Sequence, residues 1–225
     1  MTRDLRAIRA RIGRLHVITD ETLQSRFSHG EVARLAVQGG ADTVQYREKR
    51  PLSTRELVAA ARMVADACRD GGATCIVDDR ADVAMAANAA GVHIGRNDLE
   101  AAVARRLLGD LFVIGGTANS LEEARSIFRG SLDYIGVGPI FGTNSKANPA
   151  SVMGLATLQQ IVTESPIPII AIGNITPNRV EDVLATGAFG IAVLSGVTCT
   201  PDPAVAAADY QERIVAYLRR EGTLP

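Results

Sequence analysis

Cys75-Ile76-Val77-Asp78-Asp79-Arg80 and Gly91-Val92-His93-Ile94-Gly95-Arg96-Asn97-Asp98 are two statements of one pattern. Each is a short apolar, β-prone run that stops abruptly in charge, and a helical segment separates them. Two buried strands joined by a helix make a βαβ unit, and each strand delivers a carboxylate at its C-terminal end. In a parallel sheet those ends lie side by side on one face, so Asp79 and Asp98 can approach the same point. Converging carboxylates suit a hard cation such as Mg²⁺ shared with a phosphate. Asp is also a favoured N-cap, so spacing alone leaves open whether the pair binds metal or caps the helices that follow.

Working outward, the same alternation repeats along the chain. The first strand is expected at 15–20, the second at 43–49, then the unit above, then 111–117, 134–140, 167–173 and 190–195. Helices are expected at 29–38, 54–69, 99–108, 121–128 (with Ser120 as cap), 155–163, 176–186 and 203–220. Thr176-Pro177 reads as a cap followed by a proline at the first helical position. Residues 3–14 read as a short basic helix, a lid or packing arm outside the repeat. Eight strands alternating with helices over 225 residues predict an α/β fold, a single-domain (β/α)8 TIM barrel with residues 15–220 as its body. The strands are apolar throughout instead of alternating, as when both faces are covered. A doubly wound open sheet is the alternative, and the absence of GxGxxG after the first strand weighs against it.

Composition narrows the function. Lys and Arg number 24 against 25 Asp and Glu, for a net charge of −1, which argues against a nucleic-acid or anionic-membrane partner. No apolar run reaches the ~20 residues of a membrane helix, and the N-terminus lacks a secretory core. Three cysteines without a CxxC point to reduced thiols in a cytoplasm. The sequence leaves room for a homo-oligomer.

Barrel chemistry sits at the C-terminal strand ends. Read in order, these are Gln45, Arg47 and Lys49; Asp78 and Asp79; Asp98; Thr117; Thr143, Asn144, Ser145 and Lys146; Gly173 and Asn174; Ser195 and Gly196. One rim thus carries cations, then carboxylates, then glycines and small polar residues. Backbone N–H groups at such glycine-rich ends hold phosphates, though tight turns would use the same glycines. The order favours two phosphate-bearing ligands, one near strands two to four and one near strands six to eight. None of the three histidines falls on an expected strand end, and His93 reads as a packed barrel residue.

With these residues laid out, the chain resembles the thiamine-phosphate synthase family. Gln45-Tyr46-Arg47-Glu48-Lys49 is similar to Q-x-R-E-K, Asp78-Asp79-Arg80 to N-D-R, and 92–98 to V-H-L-G-Q-x-D. Residues 138–146 resemble G-P-[IV]-[FY]-x-T-x-T-K, 171–175 resemble G-I-G-G-I, and Val193-Leu194-Ser195 resembles V-[VI]-S. The resemblance implies condensation of 4-amino-2-methyl-5-hydroxymethylpyrimidine diphosphate with 4-methyl-5-(2-phosphoethyl)thiazole, giving thiamine phosphate and pyrophosphate. It implies that Gln45, Tyr46, Arg47, Glu48, Lys49 and Asp78 bind the pyrimidine diphosphate, with Arg47, Lys49 and Lys146 acting catalytically on the leaving group. Asp79 and Asp98 would hold Mg²⁺, and Thr117 would contact the pyrimidine. Thr143, Asn144, Ser145, Asn174, Leu194 and Ser195 would form the thiazole phosphate site.

Three positions depart from the family pattern. Asp78 puts an acid where the family has an amide, Arg96 replaces a glutamine, and Asn174 replaces a glycine in a phosphate-binding turn. Opposite charges at adjacent strand ends predict an Asp78–Arg96 ion pair that turns Asp78 away from the diphosphate; the alternatives are that Asp78 is a further metal ligand or that Arg96 binds the diphosphate directly. A thiazole tautomerase-like enzyme and a non-catalytic phosphate-ligand sensor on the same barrel are the alternative functions. Retention of Arg47, Lys49, Asp79, Asp98 and Lys146 favours the synthase.

Overall fold

A computed structural model describes residues 4–143 and 150–223. Its strands are β1 (Leu15–Thr19), β2 (Thr43–Tyr46), β3 (Thr74–Asp78), β4 (Gly91–Ile94), β5 (Val113–Ala118), β6 (Tyr134–Val137), β7 (Ile169–Ile172) and β8 (Gly190–Val193). All neighbours pair in parallel in sequence order, and β8 returns to β1, closing the barrel. Helices α2 (His29–Gln38), α3 (Thr54–Asp70), α4 (Ala81–Ala86), α5 (Ala101–Leu108), α6 (Leu121–Ile127), α7 (Gly154–Glu164), α8 (Val180–Ala185) and α10 (Pro203–Arg220) form the outer layer. The expected TIM barrel is the observed one.

Local chemistry explains the boundaries. Ser28 and Ser53 each open a helix with a capping box closed by Glu31 and Glu56, satisfying N–H groups that the first turn leaves free. Ser120 caps α6 as expected, accepting from Glu123 N. Thr176 does not: its side chain makes no capping bond, and Pro177 begins a 3₁₀ turn (Pro177–Arg179) before α8. β5 begins at Val113 and not at Leu111, which is 84% exposed. A four-residue helix, α9 (Ser195–Thr198), follows β8 directly where the sequence suggested only strand.

Successive strand residues face opposite ways, which divides the apolar residues into two sets. Val17, Val44, Val77, Val92, Ile135 and Ile191 point outward into the layer beneath the helices. Ile18, Ile76, Val113, Tyr134, Ile170 and Ala192 point inward. The register sets Ile18, Gln45, Ile76 and Gly91 side by side, and Asp78, His93, Gly115 and Tyr134 likewise.

The N-terminal arm is a helix, α1 (Leu5–Ile12), and it packs against the barrel. Ile12 is fully buried with the inward set. Thr43 Oγ1 donates to Ile12 O at 2.5 Å, Thr74 Oγ1 donates to Arg11 O, and the Asp42 carboxylate accepts from Arg14 N and Leu15 N. These contacts fall at the N-terminal ends of β2 and β3, opposite the rim that carries the polar residues. Of the two roles expected for the arm, packing is the one observed.

Candidate active site

The C-terminal mouth of the barrel opens into a cavity of about 580 Å³. Gln45 faces inward from β2, and the alternation continues beyond the strand, so Arg47 and Lys49 line the cavity too. Arg47 Nη1 donates to Asp20, a fully buried carboxylate at the end of β1, and Arg47 Nε lies 3.8 Å from Asp78 Oδ2. Lys49 Nζ lies 3.0 Å from Asp78 Oδ2 and bonds Asp79. Burial alone would lower the Lys49 ammonium, but Asp78 and Asp79 outweigh it and hold the group above its ordinary value.

Asp78 and Asp79 leave β3 in different directions because the backbone changes hand between them. Asp79 takes φ 62°, the left-handed geometry that Asp tolerates, and its N–H bonds His93 O at 2.8 Å. Neither Asp79 nor Asp98 caps the helix that follows: Arg80 and Glu100 occupy the cap positions. Asp98 instead folds back to accept from Gly95 N at 2.7 Å. Burial pushes the Asp98 carboxyl up, the Gly95 N–H pulls it back, and the adjoining Asp79 carboxyl raises it again. Asp78 is raised by burial first and by Asp79 second. The Asp79 and Asp98 carboxyls adjoin each other, and adjoining carboxylate oxygens are a donor set that fits a hard divalent cation such as Mg²⁺.

The expected Asp78–Arg96 pair does not form. Asp78 faces the cavity and accepts from Gln45 Nε2 at 2.6 Å as well as meeting Lys49. Arg96 lies on the outer edge of the mouth, 68% exposed, where its guanidinium bonds Glu123 of α6. Two lysine and arginine partners were already within reach of Asp78 on β2, closer than the loop carrying Arg96.

Tyr46 and Glu48 also depart from expectation, since both side chains point away from the cavity. The period of two that directs Gln45, Arg47 and Lys49 inward directs these outward. Tyr46 is buried edge-on against His29, ring centroids 4.6 Å apart. Glu48 is 1% exposed and bonds Arg50 and His29. Burial would raise its carboxyl, but these donors bring it down to about 2. Among the described residues, Glu21, His29 and Glu48 are the one acid and histidine trio whose ligand atoms all lie within 4.8 Å of one another. Arg50 bonds both acids of this trio, so a cationic group already sits there.

The cavity floor holds residues the sequence reading did not assign. His93 faces inward, with Nε2 2.8 Å from Thr117 Oγ1 and Nδ1 3.0 Å from Tyr134 OH. His16, from β1, lies edge-on to Tyr134 at 5.5 Å between centroids. Burial lowers the His16 imidazole to about 3, so it is neutral. Glycines make this floor possible: a Cβ at Gly115 would stand 2.2 Å from the Tyr134 ring, and one at Gly136 would stand 3.2 Å from His93. The signal was available, because His93 is two residues before Gly95 and shares the inward parity of a strand ending there.

The far side of the mouth is built from β6, β7 and β8. Thr143, Asn174, Leu194 and Ser195 all line the cavity, with Gly173 and Gly196 between them. Asn174 takes φ 48° and Gly173 φ 113°, so asparagine meets the left-handed turn that its position requires. A Cβ at Gly173 would stand 2.6 Å from Pro139 Cα, which fixes glycine there. Asn144, Ser145 and Lys146 lie outside the described residues.

Comparison with known proteins agrees with this geometry. Residues 15–197 match the family model described as thiamine monophosphate synthase. The thiamine-phosphate synthase of Salinibacter ruber is 47% identical over 92% of this chain and 91% of its own length. That of Methanoculleus marisnigri is 43% identical over 90% of this chain and 95% of its own. The solved thiamine phosphate pyrophosphorylase of Pyrococcus furiosus superposes with a TM-score of 0.84 at 35% identity, covering 94% of this chain and 99% of that one. The match spans every strand of the barrel and both sides of its mouth, and the chain belongs to the thiamine monophosphate synthase family.

Proposed function

We infer that this chain is a thiamine-phosphate synthase, a transferase that joins a pyrimidine diphosphate to a thiazole phosphate and releases pyrophosphate. The observation that carries the assignment of halves is the division of one cavity. Cations and carboxylates of β2 to β4 stand on one wall, and the glycine-rich ends of β7 and β8 stand on the other.

On the first wall, Arg47 and Lys49 receive the diphosphate, exchanging their bonds to Asp20, Asp78 and Asp79 for phosphate oxygens. Asp79 and Asp98 would hold Mg²⁺, and the ion would supply Lewis-acid neutralisation of the leaving group. Gln45 and Thr117 offer hydrogen bonds to the aminopyrimidine ring, and His93 holds the Thr117 hydroxyl from behind. On the second wall, Thr143, Asn174, Leu194 and Ser195 hold the thiazole phosphate through backbone and hydroxyl groups. The C–O bond of the pyrimidine methylene breaks, diphosphate departs with the bonding pair, and the thiazole nitrogen lone pair forms the new C–N bond. No nucleophilic side chain is required. The protein contributes charge stabilisation where charge grows, and alignment of the two rings. The free thiols Cys68, Cys75 and Cys199 support action in a reducing cytoplasm.

Incubation with both substrates and Mg²⁺ is expected to yield thiamine phosphate and pyrophosphate in equal amounts. Decay of the pyrimidine diphosphate without thiamine phosphate would refute the assignment. Asp79→Asn keeps the side-chain shape and tolerates the left-handed φ, so it is expected to fold normally. It should lose roughly 10²-fold or more in kcat, the scale of removing one preorganised electrostatic group. Unchanged turnover in this variant would remove Asp79 from the metal site.

A further inference from the structure

We propose that Glu48 is the positioning residue of the β2 cation arm: clamped behind the sheet by Arg50 and His29, it fixes the direction in which Arg47 and Lys49 face the cavity. The inference rests on the synthase reading for the role of those two cations. Pairing of β2 with its neighbours ends at Tyr46, opposite Thr19 on one side and Val77 on the other. Arg47, Glu48 and Lys49 therefore extend past the ladder, and their orientation needs another source.

Glu48 supplies it. Its carboxylate accepts from Arg50 N at 2.8 Å, from Arg50 Nε at 2.9 Å, and from His29 Nε2 at 3.2 Å. A carboxylate only accepts, so the His29 proton sits on Nε2, and Nδ1 accepts from Thr19 Oγ1 at 2.6 Å. The clamp reaches β1 a second time through Glu21. That side chain accepts from His29 N at 2.8 Å and from Arg50 Nη2 at 2.6 Å. Successive residues of one loop thus hold opposite faces of the arm: Asp20 takes Arg47 on the cavity side, and Glu21 takes Arg50 on the outer side. Glu48 touches neither ligand site and acts through its neighbours. Charge-assisted bonds to a buried carboxylate are the strong class of hydrogen bond, so the arm is set before substrate arrives.

The test measures pyrophosphate binding in the presence of Mg²⁺ by calorimetry, alongside kcat and both KM values. Glu48→Gln keeps the shape and loses the charge. It is expected to weaken pyrophosphate and lower kcat by between roughly 10-fold and 10²-fold, the range for slight misplacement of aligned groups. KM for the thiazole phosphate should not change, and in an Arg47→Ala background the same substitution should cost a smaller factor. Wild-type affinity and kcat in Glu48→Gln, or an equal factor in both backgrounds, overturns the proposal. If Glu48→Gln does not fold, Arg50→Gln opens the clamp from the solvent side. A loss of pyrophosphate affinity there, partly restored by Arg50→Lys, supports the proposal, and unchanged affinity overturns it. A protein that binds pyrophosphate yet makes no thiamine phosphate fails the synthase reading only, since the affinities still decide the role of Glu48.

Discussion

Asp78 shows how one atom in the side chain redirects a site. Where the family pattern has an amide, this chain carries a carboxylate wedged between Gln45, Arg47 and Lys49. It neutralises the two cations that the proposed reading gives to the diphosphate. Arg96 has no part in this, being bonded to Glu123. The two residues share no partner, so their substitutions should behave as independent sites do, adding within about 0.5 kcal/mol. Asp78→Asn, Arg96→Gln and the double variant, compared by kcat/KM, check this. A rescue of Arg96→Gln by Asp78→Asn would revive direct pairing. What made the pair plausible in sequence was adjacency of strand ends. What defeated it was that β2 reaches Asp78 first, a proximity that depends on side-chain direction and not on chain order.

At the scale of the element, the period of two decided more than residue type did. That Gln45, Arg47, Asp79 and Asn174 lie at the mouth was legible because each sits in or just after a strand, and strand ends in a barrel converge. Tyr46 and Glu48 share the motif without facing the cavity, because alternation assigns them to the opposite face of the strand. His93 is a packed barrel residue as its place inside an apolar strand predicts, and its parity adds that it packs on the interior side, against Thr117 and Tyr134. The helix α9 was not legible, since a four-residue turn has no period to detect. The arm α1 was legible as a helix, but its docking end was not, because that depends on which carbonyls meet Thr43 and Thr74. Ile12→Ala should therefore destabilise by about 2–5 kcal/mol, as for other fully buried large-to-small changes, while leaving both KM values unaltered. Denaturant midpoints and steady-state kinetics on the same preparation test both halves. A raised KM would mean the arm reaches the mouth.

For the whole molecule, the polar barrel interior couples stability to pH. His16 is buried and neutral, with its imidazole lowered to about 3, and burial lowers His29 as well. Between the ordinary value near 6.5 and the lowered one, the unfolded chain binds protons that the folded chain refuses, so stability falls as pH falls. Each such histidine contributes up to about 1.4 kcal/mol per pH unit across its window. Asp78 and Asp98, both raised, act in the opposite sense, since the folded chain protonates them first. His16→Phe isolates the first effect: the variant should lose less stability than the unaltered protein between pH 6.5 and 4.5. Equal slopes in chemical denaturation at several pH values would exclude His16 as a source.

The alternation along residues 45–50 also works as a reading frame. Gln45, Arg47 and Lys49 are legible to a ligand, while Tyr46, Glu48 and Arg50 are legible only to the scaffold. The message survives replacement of a letter far better than a shift of phase. Removing one residue from the 39–42 turn would transpose the two messages if the strand slipped to keep its length, offering the ligand a tyrosine, a carboxylate and Arg50 alone, and burying Arg47 and Lys49 beneath helices. Such a deletion should abolish pyrophosphate binding outright, whereas Ala41→Ser, which keeps the length of the turn, should retain it, and calorimetry on the two variants would tell them apart. The length of that turn thus sets which face of the strand the ligand meets.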